Sequence, residues 1–263
     1  MRKLNLFILL LFVPFSLICQ NAELFSIDGT HSIVGVDNQG SSYFLNKNVL
    51  YKYNSKGEIL NNFSDFKNGS ISHVDVSNPL KIIVLWSELG VVEVLDNTLS
   101  VVGNPINLIQ MGVDEPTLAC ASEGDGLWVY DASSGTLNLF NPGGSLLLQS
   151  LDLRKLNKGN FLPDGMCLWS NHILLYTDAG NVMLLDNAAS VVTHSQLRGG
   201  VVAGGDNGFS ILKTTGMQLY DLVNMRDVRV ETPTTGIKKY YLNSPYFLAQ
   251  FESKIILYLL SAQ

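Results

Sequence analysis

Hydrophobic and polar positions alternate along this chain in short runs, and the runs fall into repeated groups. Six times, an apolar strand ends at a turn residue and a second apolar strand follows. These turn residues are Asn38, Asn78, Glu123, Asn171, Asn207 and Ser244. Successive turn residues are 36 to 48 positions apart, close to the roughly 40–45 residues of one four-stranded propeller blade. Residues that favour turns, such as Gly40 and Pro79, lie at these points. The pattern therefore predicts six repeated hairpins.

A third strand follows each hairpin, and in five of the six repeats it ends in Asn or Asp. These residues are Asn54, Asp96, Asn141, Asp186 and Asp221. We expect their side chains to bond the backbone just ahead of them and so to start the next turn. A fourth strand, for example residues 58–62, completes the unit.

The sixth repeat ends at Gln263, directly after its third strand, while residues 22–27 precede the first repeat without a partner. Pairing these two segments closes a ring and removes an open sheet edge. The sequence thus predicts an all-β fold, a six-bladed β-propeller of four-stranded antiparallel blades closed by the N-terminal strand. Five or seven blades are the alternatives if a repeat is split.

The repeat segments LYKYNSKGEIL and LNLFNPGGSLLLQ carry a family resemblance. In both, an aromatic or Leu residue, an Asx residue and a Gly-bearing turn precede another apolar strand. The chain resembles the six-bladed propellers of the NHL and YncE-like kind, and more loosely the outer-membrane assembly propellers. The resemblance covers nearly the whole chain after the first 20 residues. It implies a fold and an exported bacterial envelope type, but no activity, because propellers host lactonases, lyases, scaffolds and receptors alike.

The N-terminus has the pattern of a secretory signal, with Arg2 and Lys3 ahead of an apolar run over residues 4–18. We expect residues 1–19 to be a signal peptide and residues 20–263 to be a single propeller domain. Cys19 leaves a lipid anchor open as the alternative, although Ile18 stands where lipoprotein signals usually have a small residue. The remaining apolar runs are too short to span a bilayer. The expected location is the periplasm or the periplasmic face of the outer membrane.

The charge balance bears on the class of partner. The chain has a net charge of −6 and no cluster of Lys and Arg, so nucleic acid is not the expected partner. Cys120 and Cys167 lie in neighbouring repeats, and we expect reduced thiols there. The expected partner is a protein of the cell envelope.

One register of the predicted inner strands is small and polar in every repeat. It consists of Asp37, Ser77, Ser122, Ser170, Asp206 and Asn243. These residues should form a ring at one mouth of the central channel. They fit two interpretations: ordinary turn-starting residues, or a ligand or ion site centred on Asp37 and Asp206.

Local catalytic motifs are absent from the sequence, and no catalytic residue, cofactor or metal site is predicted. Two positions before the ring, Asp75 is the one carboxylate, whereas a lactonase-type site needs several. His73 beside it reads as an ordinary strand histidine. We therefore predict a non-catalytic protein-binding or scaffold module. The alternative is a lactonase-like hydrolase or lyase with a ligand or metal site at the channel mouth.

Two long connectors between repeats are the predicted contact regions, residues 107–117 and 152–164. The second is unusually basic, and its candidate contacts are Arg154, Lys155 and Lys158, with Trp169 added if it is exposed on the same face. Trp86 and Trp128 are expected to pack between blades.

Overall fold

The computed structural model describes residues 22–29, 31–157, 161–169, 171–197, 201–205, 208–213, 216–221, 226–230 and 235–260. Apart from turns and one 3₁₀ helix, Leu153–Asn157, the described elements are β-strands. Within these ranges the strands form six four-stranded antiparallel sheets. We number the sheets by the position of their inner strand along the chain.

The first three sheets are each made of four consecutive strands. Sheet 1 comprises β2 (Ser32–Val36), β3 (Ser42–Asn46), β4 (Val49–Tyr53) and β5 (Ile59–Phe63). Sheet 2 comprises β6 (His73–Asp75), β7 (Ile82–Trp86), β8 (Val91–Leu95) and β9 (Ile106–Asn107). Sheet 3 comprises β10 (Pro116–Ala121), β11 (Leu127–Asp131), β12 (Thr136–Phe140) and β13 (Leu146–Gln149).

Sheets 4 and 5 are also made of consecutive strands, whereas sheet 6 takes its outer strand from the other end of the chain. Sheet 4 comprises β14 (Gly165–Trp169), β15 (His172–Tyr176), β16 (Asn181–Asp186) and β17 (Val191–Gln196). Sheet 5 comprises β18 (Val201–Gly205), β19 (Gly208–Lys213), β20 (Gly216–Asp221) and β21 (Arg226–Val230). Sheet 6 comprises β22 (Lys239–Asn243), β23 (Tyr246–Gln250), β24 (Lys254–Leu259) and β1 (Ala22–Asp28).

Asx side chains start the turns between third and fourth strands, as the sequence predicted. In each of four turns, an Asx Oδ1 accepts backbone N–H groups from residues just ahead of it. The pairs are Asn54 with Lys56 and Glu58, Asp96 with Thr98 and Ser100, Asn141 with Ser145, and Asp186 with Ala188 and Ser190. The turn after Asp221 lies outside the described residues.

The hydrophobic core lies between sheets. The described residues form six apolar clusters, each shared by two consecutive sheets, and one of these joins sheet 6 to sheet 1. Trp86 is buried between sheets 1 and 2, and Trp128 between sheets 3 and 4. The prediction that these two tryptophans pack between blades is confirmed.

Polar side chains also link neighbouring sheets. Lys52 Nζ in sheet 1 donates to the carbonyl of Asn97 in sheet 2 at 2.9 Å, and Lys81 Nζ in sheet 2 donates to the carbonyl of Gly126 in sheet 3 at 2.8 Å. Burial lowers the pKa of Lys81. Both ammonium groups bond the backbone of the following sheet, so they help to fix the spacing between sheets.

The N-terminal strand closes the fold as predicted. β1 pairs antiparallel with β24, from Ala22 opposite Leu259 to Asp28 opposite Lys254. The side chain of Gln250 adds two bonds across the closure, accepting from the N–H of Ile33 and donating to the carbonyl of His31. The prediction of an all-β propeller of four-stranded antiparallel blades is confirmed.

Deleting residues 1–28 should abolish cooperative unfolding, because it leaves the edge of β24 unpaired and uncovers its apolar side chains. Thermal unfolding followed by circular dichroism, with size-exclusion chromatography for aggregation, measures this. The matched control lacks only residues 1–19. A shorter chain that melts like the control would show that β1 contributes nothing to closure.

Candidate functional site

A cavity of about 410 Å³ lies between the inner strands of sheets 1, 2, 4 and 6. Its lining runs from Ser72 to Ser77 along sheet 2 and from Lys238 to Asn243 along sheet 6. The cavity therefore follows the inner strands over their whole length, as the central channel of a propeller does.

The two ends of this channel differ in the segments that surround them. Because each sheet has four antiparallel strands, the outer strand ends on the side where the inner strand began. The connectors between sheets therefore share one face, which we call the connector face. The turns after the inner strands share the opposite face, the hairpin face. The predicted ring lies on the hairpin face, and the two long connectors lie together on the connector face.

The carboxylate of Asp37, which was expected at the centre of the ring, accepts hydrogen bonds within its own hairpin. Its Oδ1 accepts the N–H groups of Gln39 at 3.0 Å and Ser41 at 2.8 Å, and its Oδ2 accepts the hydroxyl of Tyr43 at 3.2 Å. The residue is buried. Burial and the carboxylate of Asp37 together raise the pKa of Tyr43 far above its ordinary value. The geometry agrees with the turn-starting interpretation of this position.

The structure brings only part of the ring to the cavity. Ser77 and Asn243 line it, and Asn243 Nδ2 donates to the carbonyl of Val36 at 3.2 Å. Ser122 is buried, and its hydroxyl bonds the carbonyl of Glu123. Ser170 and Asp206 lie outside the described residues, so the part of the ring site that depends on them stays a prediction.

Asp75 lines the cavity, and its carboxylate links two sheets. Oδ1 accepts the N–H of Ser77 at 3.0 Å, and Oδ2 accepts the N–H of Ala121 in sheet 3 at 2.9 Å. Its oxygens therefore hold the inner strands of sheets 2 and 3 together.

Apart from Asp75, the Asp, Lys and His side chains that line the channel lie at its connector mouth, and none of them was predicted as a site residue. Asp164 and Asp178 belong to sheet 4, Lys238 and Lys239 to sheet 6, and His73 to sheet 2. They stand at the starts of inner strands, or just after a second strand, whereas the predicted ring lies at the strand ends. The adjacent Lys238 and Lys239 at the start of β22 were the signal available in the sequence.

His73 is neutral at physiological pH. Burial, aided by the charge of Lys239, lowers the pKa of His73 to about 4, against a smaller opposing effect of a hydrogen bond to the backbone of Ala119. Its Nε2 is buried and has no hydrogen-bond partner. The bond to Ala119 is therefore made by Nδ1, and Nε2 is left as an unused acceptor.

The two lysines differ in their partners. Lys238 pairs with Glu252, with 3.1 Å between Nζ and Oε2. Lys239 Nζ makes a long bond of 3.4 Å to the carbonyl of Ile33 and lies 5.4 Å from the ring centre of Tyr241. Among the residues that the structure describes, no carboxylate lies within ion-pair distance of Lys239.

The channel wall near sheet 4 is aromatic. The Tyr176 hydroxyl bonds Tyr241, and burial raises the pKa of Tyr176 well above its ordinary value. The Tyr176 ring lies directly over Gly165, where an added Cβ would overlap the ring. A glycine at the start of β14 is therefore required for the ring to occupy this place. Cys167 also lines the cavity, whereas Cys120 is buried, and neither forms a disulfide.

The predicted contacts in the connector 152–164 need correction. Trp169 is buried, packs 5.7 Å from His172 and offers no exposed surface to a partner. Arg154 is held internally, since its guanidinium bonds Asp152 and the carbonyls of Ala132, Ser133 and Ser134. Lys155 is exposed, with an ion pair of 3.8 Å to Asp152. Lys158 lies outside the described residues.

The connector face instead presents large apolar side chains, which the sequence analysis missed. They are Phe66, Leu89, Ile109, Leu151, Leu156 and Leu162. Leu151 is 80% exposed and Phe66 is 73% exposed. The connector that carries Leu151 is anchored beneath the surface by Leu153 and Phe161, which are buried in the cluster of sheets 3 and 4.

Sequence comparison identifies no relative: no family model and no curated protein matches the chain. Solved structures do match. Streptogramin B lyase matches with a TM-score of 0.59 and 11% identity over 92% of this chain and 98% of that chain. The Pan2 WD40 domain of Neurospora crassa matches with a TM-score of 0.59 and 10% identity over 93% and 97%. Virginiamycin B lyase from Staphylococcus aureus matches with a TM-score of 0.56 and 11% identity over 90% and 99%.

Identities this low show a shared propeller fold and leave the family open. The resemblance to NHL and YncE-like propellers therefore stays a prediction. Within the described ranges, no group of three His, Cys, Asp or Glu side chains is placed to hold a metal ion. The same part of the chain contains no helix with the length and apolar character needed to cross a membrane.

Arg154→Met should lower the midpoint of thermal unfolding, on the order of a few degrees, because the Ala132–Ser134 carbonyls lose their donors. Lys155→Met is the control, since its side chain is exposed and contributes little. Differential scanning calorimetry measures both variants. Equal midpoints would show that the guanidinium is dispensable.

Protonation of His73 should weaken the fold at acidic pH. Its folded pKa of about 4 lies below the unfolded value of 6.5, so the unfolded chain binds the proton first as pH falls. The contribution is fully present above pH 6.5 and is lost as pH falls through 4, on the order of 2 to 3 kcal/mol. In His73→Gln, urea unfolding between pH 4 and 7 should show a correspondingly flatter pH dependence. His194→Gln, on the exposed outer strand β17, should keep the slope of the parent; identical slopes for all three proteins would contradict the assignment.

Proposed function

We propose that this chain is an exported, non-catalytic β-propeller that binds a protein of the bacterial cell envelope through its connector face. The observation that carries the proposal is the group of exposed apolar side chains on that face. Exposed apolar side chains grouped on one surface of a protein are typical of interaction sites.

The surrounding structure supports a protein partner. Leu151, Leu156 and Leu162 project from a connector whose intervening residues Leu153 and Phe161 are buried. Arg154 fixes the same connector to the turn at 132–134. An anchored loop loses little conformational entropy when it docks, which favours binding.

Export is supported by the leader-like residues 1–19, and the first strand of the fold begins only at Ala22. Removal of residues 1–19 would leave every described strand intact. Location in the periplasm or on the periplasmic face of the outer membrane follows from that leader, with lipidation at Cys19 as the alternative.

We infer further that the six sheets are the six blades of a single ring. The apolar clusters between consecutive sheets support this count, since they run from sheet 1 to sheet 6 and back to sheet 1. The pairing of β1 with β24 supports it as well.

A hydrolase or lyase acting at the channel is the second candidate. The cavity favours it, because a pocket with a histidine and several charged groups is a common form of active site. Two of the structural neighbours are lyases by name. The carboxylates of Asp37 and Asp75 are bonded within the fold, so they do not support a metal site of the lactonase kind.

Leu151→Ser combined with Leu162→Ser should reduce recovery of the partner at least about tenfold, because apolar contacts at an interface centre dominate binding. In-cell crosslinking, affinity purification and quantitative mass spectrometry measure the recovery. Leu80→Ser is the matched control, since Leu80 is 73% exposed but lies on the hairpin face.

Both variant chains should melt like the parent, because the changed side chains are exposed. The proposal is overturned if the double variant recovers every partner undiminished. It is also overturned if Leu80→Ser causes the same loss, since binding would then not depend on the connector face.

A further inference from the structure

We propose that the connector mouth of the channel binds a small zwitterion, an α-amino acid with an apolar side chain. The proposal rests on the cavity and on the unsatisfied groups of opposite character that line it. It is independent of the protein contact on the connector face.

Sheet 4 supplies the negative side of the mouth. Asp164 Oδ2 accepts the backbone N–H of Asp178 at 2.7 Å, which holds the two residues together. Both residues line the cavity, and neither carboxylate makes an ion pair with a described residue. Two adjacent carboxylates without a cation are complementary to an ammonium group.

Sheet 6 supplies the positive side. Lys238 pairs with Glu252, whereas the partners of Lys239 among the described residues are the carbonyl of Ile33, at a long distance, and the Tyr241 ring. The ammonium of Lys239 therefore has N–H donors that can bond a carboxylate.

Sheet 2 supplies an imidazole beside that ammonium. His73 lines the cavity and is close enough to Lys239 for the lysine charge to act on it. Its Nε2 is closed to solvent, so the proposed ligand contacts are the carboxylates of Asp164 and Asp178 and the ammonium of Lys239.

The remaining wall is suited to an apolar side chain. Val34, Val76, Met166, Leu242 and Tyr176 are also among the cavity-lining residues. Its volume of about 410 Å³ lies at the small end of ligand pockets, which span roughly 300–1,000 Å³. A single amino acid of the size of leucine or phenylalanine fits this space.

Isothermal titration calorimetry with leucine, methionine and phenylalanine tests the proposal directly. At least one should bind at millimolar concentration or below. Two analogues of leucine isolate the charges: 4-methylpentanoate lacks the ammonium group, and isoamylamine lacks the carboxylate. Each analogue should bind at least about tenfold more weakly than leucine, because a charge-assisted contact is lost.

Paired variants locate the site. Lys239→Gln should weaken amino acid binding about tenfold or more, while Lys238→Gln should leave it nearly unchanged, because only Lys239 lacks a carboxylate partner. The bound amino acid should also slow alkylation of Cys167 by a small maleimide, followed by mass spectrometry. Cys120, which is buried and not among the cavity-lining residues, is the internal control.

Failure of all three amino acids to bind at millimolar concentration overturns the proposal. So does equal binding of leucine and its two analogues, or an equal effect of the two lysine variants. None of these results bears on the proposed envelope-protein interface, whose test depends on Leu151 and Leu162.

Discussion

Lateral packing between neighbouring sheets is the interaction on which the rest of the structure depends. Each sheet is a stack of four short strands whose apolar faces cannot be buried within the sheet itself. The six apolar clusters all lie between sheets, so every sheet needs two neighbours. The first and last sheets meet this requirement only because β1 crosses from the N-terminal end to pair with β24. Closure is therefore a condition for burial of the core as well as a means of covering an edge.

The polar side chains of the two faces have different roles in this repeated architecture. On the hairpin face, Asp37, Asp96 and Asp186 accept backbone N–H groups in tight turns. Their carboxylates are used to build the repeat. The connectors join sheets rather than pairing within them, so their side chains are less constrained. Asp164, Asp178 and Lys239, which form no ion pair with a described residue, stand on the connector side of the channel.

The sequence was sufficient for features that depend on local chemistry. The turn role of Asn54, the hairpin at Asp37 and the closing strand could all be predicted, because turn propensity, strand period and repeat length are local signals. The proximity of His73 to Lys239 could not be predicted, because these residues are far apart in the chain and come close only at the channel. Trp169 is likewise buried because it packs against sheet 5. The sequence of its own strand does not indicate this contact.

Arg154 shows how a charged side chain in a connector can serve the fold itself. In an acidic chain, a basic connector suggests a surface that attracts an acidic partner. The guanidinium instead bonds three consecutive carbonyls of the neighbouring turn and the carboxylate of Asp152, because a planar group with five donors can satisfy several acceptors at once. With that cation bonded within the fold, the connector is held in place, and Leu151, Leu156 and Leu162 are the apolar side chains that it exposes. The positive charge thus acts by fixing the loop.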